Sequence, residues 1–139
     1  MQHSGNVMNL YYRSFIMKER EKVITEYFES WIIKDEISLE KTFSQNATYI
    51  ESWGPAYRDK TQILSWFKDW NKENTVLEWN VIAFYHTSTE SICEWYFKCD
   101  CGGNIDGFNG ASIITFNENN EIVLIKEFQS KTPNIYPYD

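Results

Sequence analysis

The chain has 139 residues, enough for one domain with its own core, and a formal net charge of −7 from 20 acidic and 13 basic residues. Without a cluster of Lys and Arg there is no electrostatic footprint for a phosphate backbone, which argues against nucleic-acid binding. Hydrophobic residues make up 42% and aromatic residues 17%, including 6 Trp, 9 Tyr and 9 Phe; this excludes a disordered chain and leaves rings beyond what small-domain packing uses, free to line a cavity or an interface.

No apolar run approaches the ~20 residues of a membrane span. The opening stretch, MQHSGNVMNLYYRSFIMKER, lacks a charged segment followed by an apolar one, so it does not read as a signal peptide, and the cytoplasm is the expected compartment. Residues 1–16 read as a flexible leader, with Met8 or Met17 as an alternative start. From about Met17 to Ile33, Val23, Ile24, Tyr27, Phe28, Trp31 and Ile32 recur on one face and predict an amphipathic helix. Lys34 and Asp35 form a turn, a short helix follows over Glu36–Phe43, and the SQN stretch breaks it.

Thr48–Ser52 reads as a strand whose alternation puts Ala47, Tyr49 and Glu51 on one face. Gly54-Pro55 ends it. Asp59 with Gln62 three residues later forms a capping-box pattern for a third helix, whose apolar face carries Ile63, Leu64, Trp66, Phe67 and Trp70. Leu77–His86, Ser91–Cys101, Gly107–Phe116 and Ile122–Ser130 then read as strands joined by TSTE, GGNID and NENNE connectors. Residues 17–130 thus form a single α+β domain, a curved antiparallel sheet with three N-terminal helices packed on its concave face; 131–139 is an irregular, proline-interrupted tail.

The stretches YFESWIIKDEISLEKTFSQNATYIESWGPAYRDKTQILSWFKDW, ICEWYFKC and FNGASIITFNENNEIVLIKEF resemble the nuclear transport factor 2-like superfamily, in its SnoaL-like and ketosteroid-isomerase-like branch. The resemblance covers roughly 22–129 and rests on element order, the F-S-x-N-A-T stretch, the Gly-x-x-Tyr turn and the last two strands. It implies a cystatin-like cone with a pocket open at one end, and homodimerisation through the outer sheet face. In that family the strand after the second helix carries a general-base carboxylate, and Glu51 falls there. A first-helix tyrosine that donates to an oxyanion corresponds to Tyr27. The late-strand aspartate donor is replaced by Ser112, a weaker donor, which departs from steroid-type isomerisation.

The expected catalytic set is therefore Glu51, Tyr27 and Ser112, with Trp31, Tyr49, Trp66, Phe67, Glu94 and Glu127 as ligand-binding candidates. An inward Glu51 beneath aromatic rings would be desolvated, with a raised pKa suited to proton transfer. A solvated strand end is the plain alternative, just as Tyr27 and the tryptophans suit a plain core. Along 91–101, Glu94, Tyr96, Lys98 and Asp100 share one face and Cys93, Trp95, Phe97, Cys99 and Cys101 the other; which faces inward stays open. Glu127 is a second acid if it points inward. Three cysteines are an odd number for a reducing compartment and predict packing rather than a disulfide; Cys99-x-Cys101 lacks the second pair or histidines of a zinc site, and Trp79 and His86 need no function.

The function these features imply is a SnoaL-like domain that binds a small apolar or aromatic molecule in a conical pocket, with cofactor-independent isomerase or lyase chemistry by proton transfer. The alternatives are a non-catalytic ligand-binding protein and a dimeric interaction module. No metal or organic cofactor, nucleic acid or membrane is implied as a partner.

Overall fold

The computed structural model describes the backbone of residues 2–139 and the side chains from Asn9 onward. Helix α1 spans Gln2–Ile32, α2 Glu36–Thr42 and α3 Asp59–Asn71; strands are β1 Phe43–Ile50, β2 Ala56–Arg58, β3 Asn74–His86, β4 Glu90–Cys101, β5 Asn104–Phe116 and β6 Ile122–Ser130. The six strands form one sheet in the order β2-β1-β6-β5-β4-β3. The architecture is the expected α+β cone, with the helices against the inner face of a curved, unclosed sheet.

Several boundaries differ from the sequence reading. Helix α1 starts at Gln2 rather than near Met17, and its Leu10, Tyr11, Tyr12 and Phe15 are exposed. Residues 9–15 are exposed throughout, so burial imposes no apolar stripe on them. Strand β1 starts at Phe43, through the polar SQN stretch taken as a break, and β2 is too short to show periodicity. The connector after β4 shrinks to Gly102-Gly103, both at positive φ (64° and 94°), the backbone a two-residue hairpin turn needs. The sheet is also not wholly antiparallel: β1 pairs with β6 in parallel, Tyr49 opposite Ile125.

Local signals account for the joints. Asp35 caps α2, its carboxylate accepting from Ser38 N (3.1 Å) and Ser38 Oγ (2.7 Å). Asp59 Oδ1 accepts from Gln62 N at 2.9 Å, as the Asp59–Gln62 spacing predicts, while Gln62 Oε1 reaches back to accept from Arg58 N at 2.7 Å, one residue before the position a capping box would use. Arg20 of α1 is nearly buried and donates to Ser88 O (2.8 Å) and Thr87 O (3.1 Å), so a charged fork satisfies the carbonyls of the β3–β4 turn and ties the helix to the sheet. His86 sits beside it, its ring nitrogens 2.8 Å from Ser91 Oγ and 2.7 Å from Glu21 Oε2.

The core is aromatic. Phe28 stacks on Trp79 at 4.0 Å and 8°, and Tyr27 packs edge-on against Phe43 at 5.3 Å. On β4 the inward face is Cys93, Trp95 and Cys99, which are buried, with Phe97 packed against the core; Glu94 is exposed on the opposite face. Cys99 and Cys101 are joined as a disulfide, which corrects the expectation of free packing cysteines: side chains two apart on a strand share a face, and here the Cα atoms lie 5.7 Å apart, within bridging range. Cys93 is the free thiol, and it is buried. Among the described residues no helix is long and apolar enough to cross a membrane.

One glycine carries packing weight. Gly110 lies opposite Trp95 in the β4–β5 register, and a Cβ there would run into the Trp95 indole and the backbone oxygen of Phe128. Neither can withdraw without moving the sheet, so Gly110→Ala is expected to lower stability by about 1–3 kcal/mol in urea unfolding followed by far-UV circular dichroism. A thiol titration of the denatured, non-reduced protein is expected to find one thiol, and three after reduction; three from the start would refute the Cys99–Cys101 bond.

Candidate ligand-binding and proton-transfer site

A cavity of about 230 Å³ opens between the helices and the inner face of the sheet. All six tryptophans of the chain line it: Trp31 from α1, Trp66 and Trp70 from α3, Trp79 from β3, Trp95 from β4, and Trp53 from the β1–β2 turn. Trp53 is 71% exposed and marks the mouth. The wall is interlocked: Trp31 contacts Trp66 (4.9 Å) and Trp70 (5.5 Å), and Tyr57 stacks on Trp66 at 4.5 Å. Packed rings hold each other's rotamers and keep the space between them open.

Two carboxylates face this space from adjacent strands. In the parallel ladder Tyr49 lies opposite Ile125 and Ile50 opposite Lys126, so Glu51, one step beyond β1, comes alongside Glu127 on the inner face. Like charges side by side on a sheet repel, and burial disfavours both ionised forms. Glu127 is pushed up to about 8 by desolvation, opposed in part by a loose hydrogen bond from the Tyr49 side chain, with the charge of Glu51 adding a lesser upward push. Glu51 is also raised, by burial, although the Tyr57 hydroxyl donates to its Oε2 at 2.7 Å and stabilises the charge. The Glu51–Pro55 turn is closed by Glu51 N donating to Pro55 O (2.9 Å), with Gly54 at φ 127°. A side-chain-bearing residue would be strained at Gly54, which is why the turn that presents Glu51 and Trp53 contains glycine there.

The structure brings together Glu51, Glu127, Trp31, Tyr49 and Trp66 of the sequence-derived candidates. It does not bring in the others. Tyr27 is buried behind the wall, its hydroxyl accepting from Trp31 Nε1 at 3.0 Å; Tyr49, with its ring 6.2 Å away, lines the cavity instead. Burial and the nearby Glu127 raise both tyrosines well above the usual phenol range, and Tyr49 Oη makes no hydrogen bond of good geometry. Ser112 is 1% exposed and covered by the Trp95 indole, whose Nε1 donates to Ser112 Oγ at 2.9 Å. Phe67 backs Trp31 at 4.7 Å without reaching the cavity, and Glu94 points away from it.

Sequence reasoning missed Tyr57 as the partner of Glu51, Trp79 and Trp95 as lining residues, and the Cys99–Cys101 disulfide in the wall. The Trp53-Gly-Pro-x-Tyr57 spacing was the available signal, since a tight turn folds a residue six positions on back beside Glu51. Among the described residues, no group of three or more His, Cys, Asp or Glu is placed to hold a metal ion.

The buried acid makes stability depend on pH in a defined sense. Glu127 has a folded pKa of about 8 against an ordinary 4.5, so the folded protein holds the extra proton in that window and loses stability as pH rises through it. Replacing Glu127 by Gln is expected to stabilise the protein at pH 9 by about 1–3 kcal/mol, with the gain shrinking towards pH 5, in thermal unfolding at both pH values.

No protein-family model matches the sequence, and no curated protein is similar to it. Solved structures are similar in fold. A hypothetical protein of Catenulispora acidiphila DSM 44928 with a ketosteroid isomerase-like fold, in complex with trimethylamine, superposes with a TM-score of 0.70 at 16% identity, over 78% of this chain and 85% of that one. An LEH-like epoxide hydrolase of M. tuberculosis gives 0.74 at 9% identity, over 82% and 84%. A SnoaL-like protein of Shewanella denitrificans OS-217 gives 0.67 at 13%, over 80% and 90%. The chain therefore shares the fold of these structures, which include ones described as ketosteroid isomerase-like, SnoaL-like and NTF2-like.

Proposed function

We propose that the cavity binds a small apolar or aromatic molecule and that Glu51 and Glu127 move a proton on it, in the manner of a cofactor-independent isomerase or lyase. The observation that carries this reading is the pair of carboxylates brought side by side in an aromatic cavity, both with raised pKa. Between them the two groups hold a proton at neutral pH, so the pair has one member able to donate and one able to accept. Glu51 is the acceptor, because Tyr57 stabilises its charge; Glu127, the more desolvated, is the donor. Fold-mates that include an epoxide hydrolase and a trimethylamine complex support a cavity open to small molecules.

A second reading, a carrier without chemistry, is favoured by the placement of Tyr27 and Ser112 outside the cavity. No hydroxyl from either is available to hold an oxyanion, and Tyr49 is the nearest replacement. The test is a panel of small cyclic ketones, enones and epoxides incubated with the protein in D₂O and followed by NMR for deuterium incorporation or new products. Turnover is expected, and Glu51→Gln is expected to cut it at least ~10²-fold with binding retained. Binding without turnover across the panel would establish the carrier reading; unchanged turnover in Glu51→Gln would remove Glu51 from the chemistry.

A further inference from the structure

The acids of the cavity have no cationic partner among the residues that line it. Glu51 and Glu127 face the space, Asp106 stands exposed at its mouth, and among the described residues no Lys, Arg or His lines it. Buried carboxylates are ordinarily paired with a cation or satisfied by donors, since desolvating one alone is costly. Here Glu51 has the neutral donors Tyr57 and Trp53 beside it and Glu127 has the Tyr49 hydroxyl, but no cationic side chain lining the cavity pairs with either. The rest of the wall consists of indole and phenyl rings, whose faces carry the negative end of a quadrupole. A neutral apolar ligand would satisfy the rings and remove the last water from two acids. An anion would meet an acidic wall with no cation in it, and repulsion from Glu127 as well once that group ionises. One chemistry suits both parts of the wall: a positive charge spread over an apolar body, too bulky to be strongly hydrated.

We propose that the ligand of this cavity is a compact organic cation, a tertiary or quaternary ammonium, with its alkyl groups against the tryptophan faces and its charge beside Glu51 and Glu127. This rests on the reading of the cavity as a small-molecule site and adds the charge of the molecule. The volume of about 230 Å³ restricts it to a compact species. A primary ammonium suits the site less well, because it demands several acceptors in place of the hydration it loses, and the tryptophan faces supply none.

Cation and proton then compete for the same carboxylates. The groups that face Glu127 are Glu51 from the β1–β2 turn, Tyr49 from β1 and Tyr27 from α1, with Asp106 of β5 at the mouth. Glu51 is itself raised by burial. Affinity for the cation should therefore climb as pH rises from about 6 to the Glu127 value of about 8 and level off above it.

The experiment titrates the full chain with benzyltrimethylammonium and with its neutral carbon isostere neopentylbenzene, reading the intrinsic fluorescence of tryptophans that all lie in the wall. The cation is expected to bind at least ~10-fold tighter than the isostere at pH 8. Glu127→Gln and Glu51→Gln, with folding checked by circular dichroism, are each expected to weaken the cation at least ~10-fold and to leave the isostere unchanged. Glu127→Gln should also flatten the pH dependence. Equal or tighter binding of the isostere, or cation affinity untouched in both variants, would overturn the inference while leaving the cavity a ligand site. No binding of either probe would overturn the ligand-site reading with it.

Discussion

The parallel pairing of β1 with β6 is the constraint on which the site depends. Every other neighbouring pair in the sheet is antiparallel and comes from a hairpin or a short turn, so sequence neighbours meet. The β1–β6 pair alone joins the first strand to the last. Its register, Tyr49 opposite Ile125, carries Glu51 and Glu127 to the same height on the same face. A one-residue slip would send Tyr49 and Glu51 to the outer face and leave Glu127 alone. The position of two acids in a hydrophobic cavity is thus a consequence of strand register; burial there raises both pKa values, and the neighbouring charge of Glu51 adds a little to the rise of Glu127.

The aromatic wall is the complementary half. Helix α1 contributes Trp31, α3 contributes Trp66 and Trp70, and the inner face of the curved sheet contributes Trp79 and Trp95. These rings pack mainly on each other, and Phe28 and Phe67 fill behind them. The close approach of β5 to the Trp95 ring is possible because Gly110 has no side chain. Large flat side chains that brace one another cannot collapse into the centre of a cone, so the space survives. What remains at its surface is ring faces and carboxylate, a combination that is destabilising when empty and favourable when it encloses positive charge.

Most of the fold was legible because it is written in local periodicity. The α1 stripe around Tyr27, the Asp59–Gln62 cap and the alternation of the last three strands each follow from short-range patterns, and each appears where those patterns place it. The alternation through Ala47, Tyr49 and Glu51 correctly sent Glu51 inward. The failures share a different cause. Tyr27 and Ser112 lie outside the cavity, where the Trp31 and Trp95 indoles donate to their hydroxyls. Glu94 lies on the outer face of β4, which alternation along the strand does not by itself distinguish from the inner one. The Cys99–Cys101 bond depends on two side chains sharing a face at bridging distance, which spacing permits and only backbone geometry grants.

By itself the sequence determined the element order, the aromatic surplus, the acidic balance and the inward face of the strand that delivers Glu51, because these depend on neighbours within a few residues. The tertiary structure alone decided that six tryptophans scattered between positions 31 and 95 surround one space, that Glu127 stands beside Glu51, and that no basic side chain among the described residues joins them. Those facts depend on the pairing of strands more than seventy residues apart and on the curvature of the sheet, neither of which leaves a local trace in the chain.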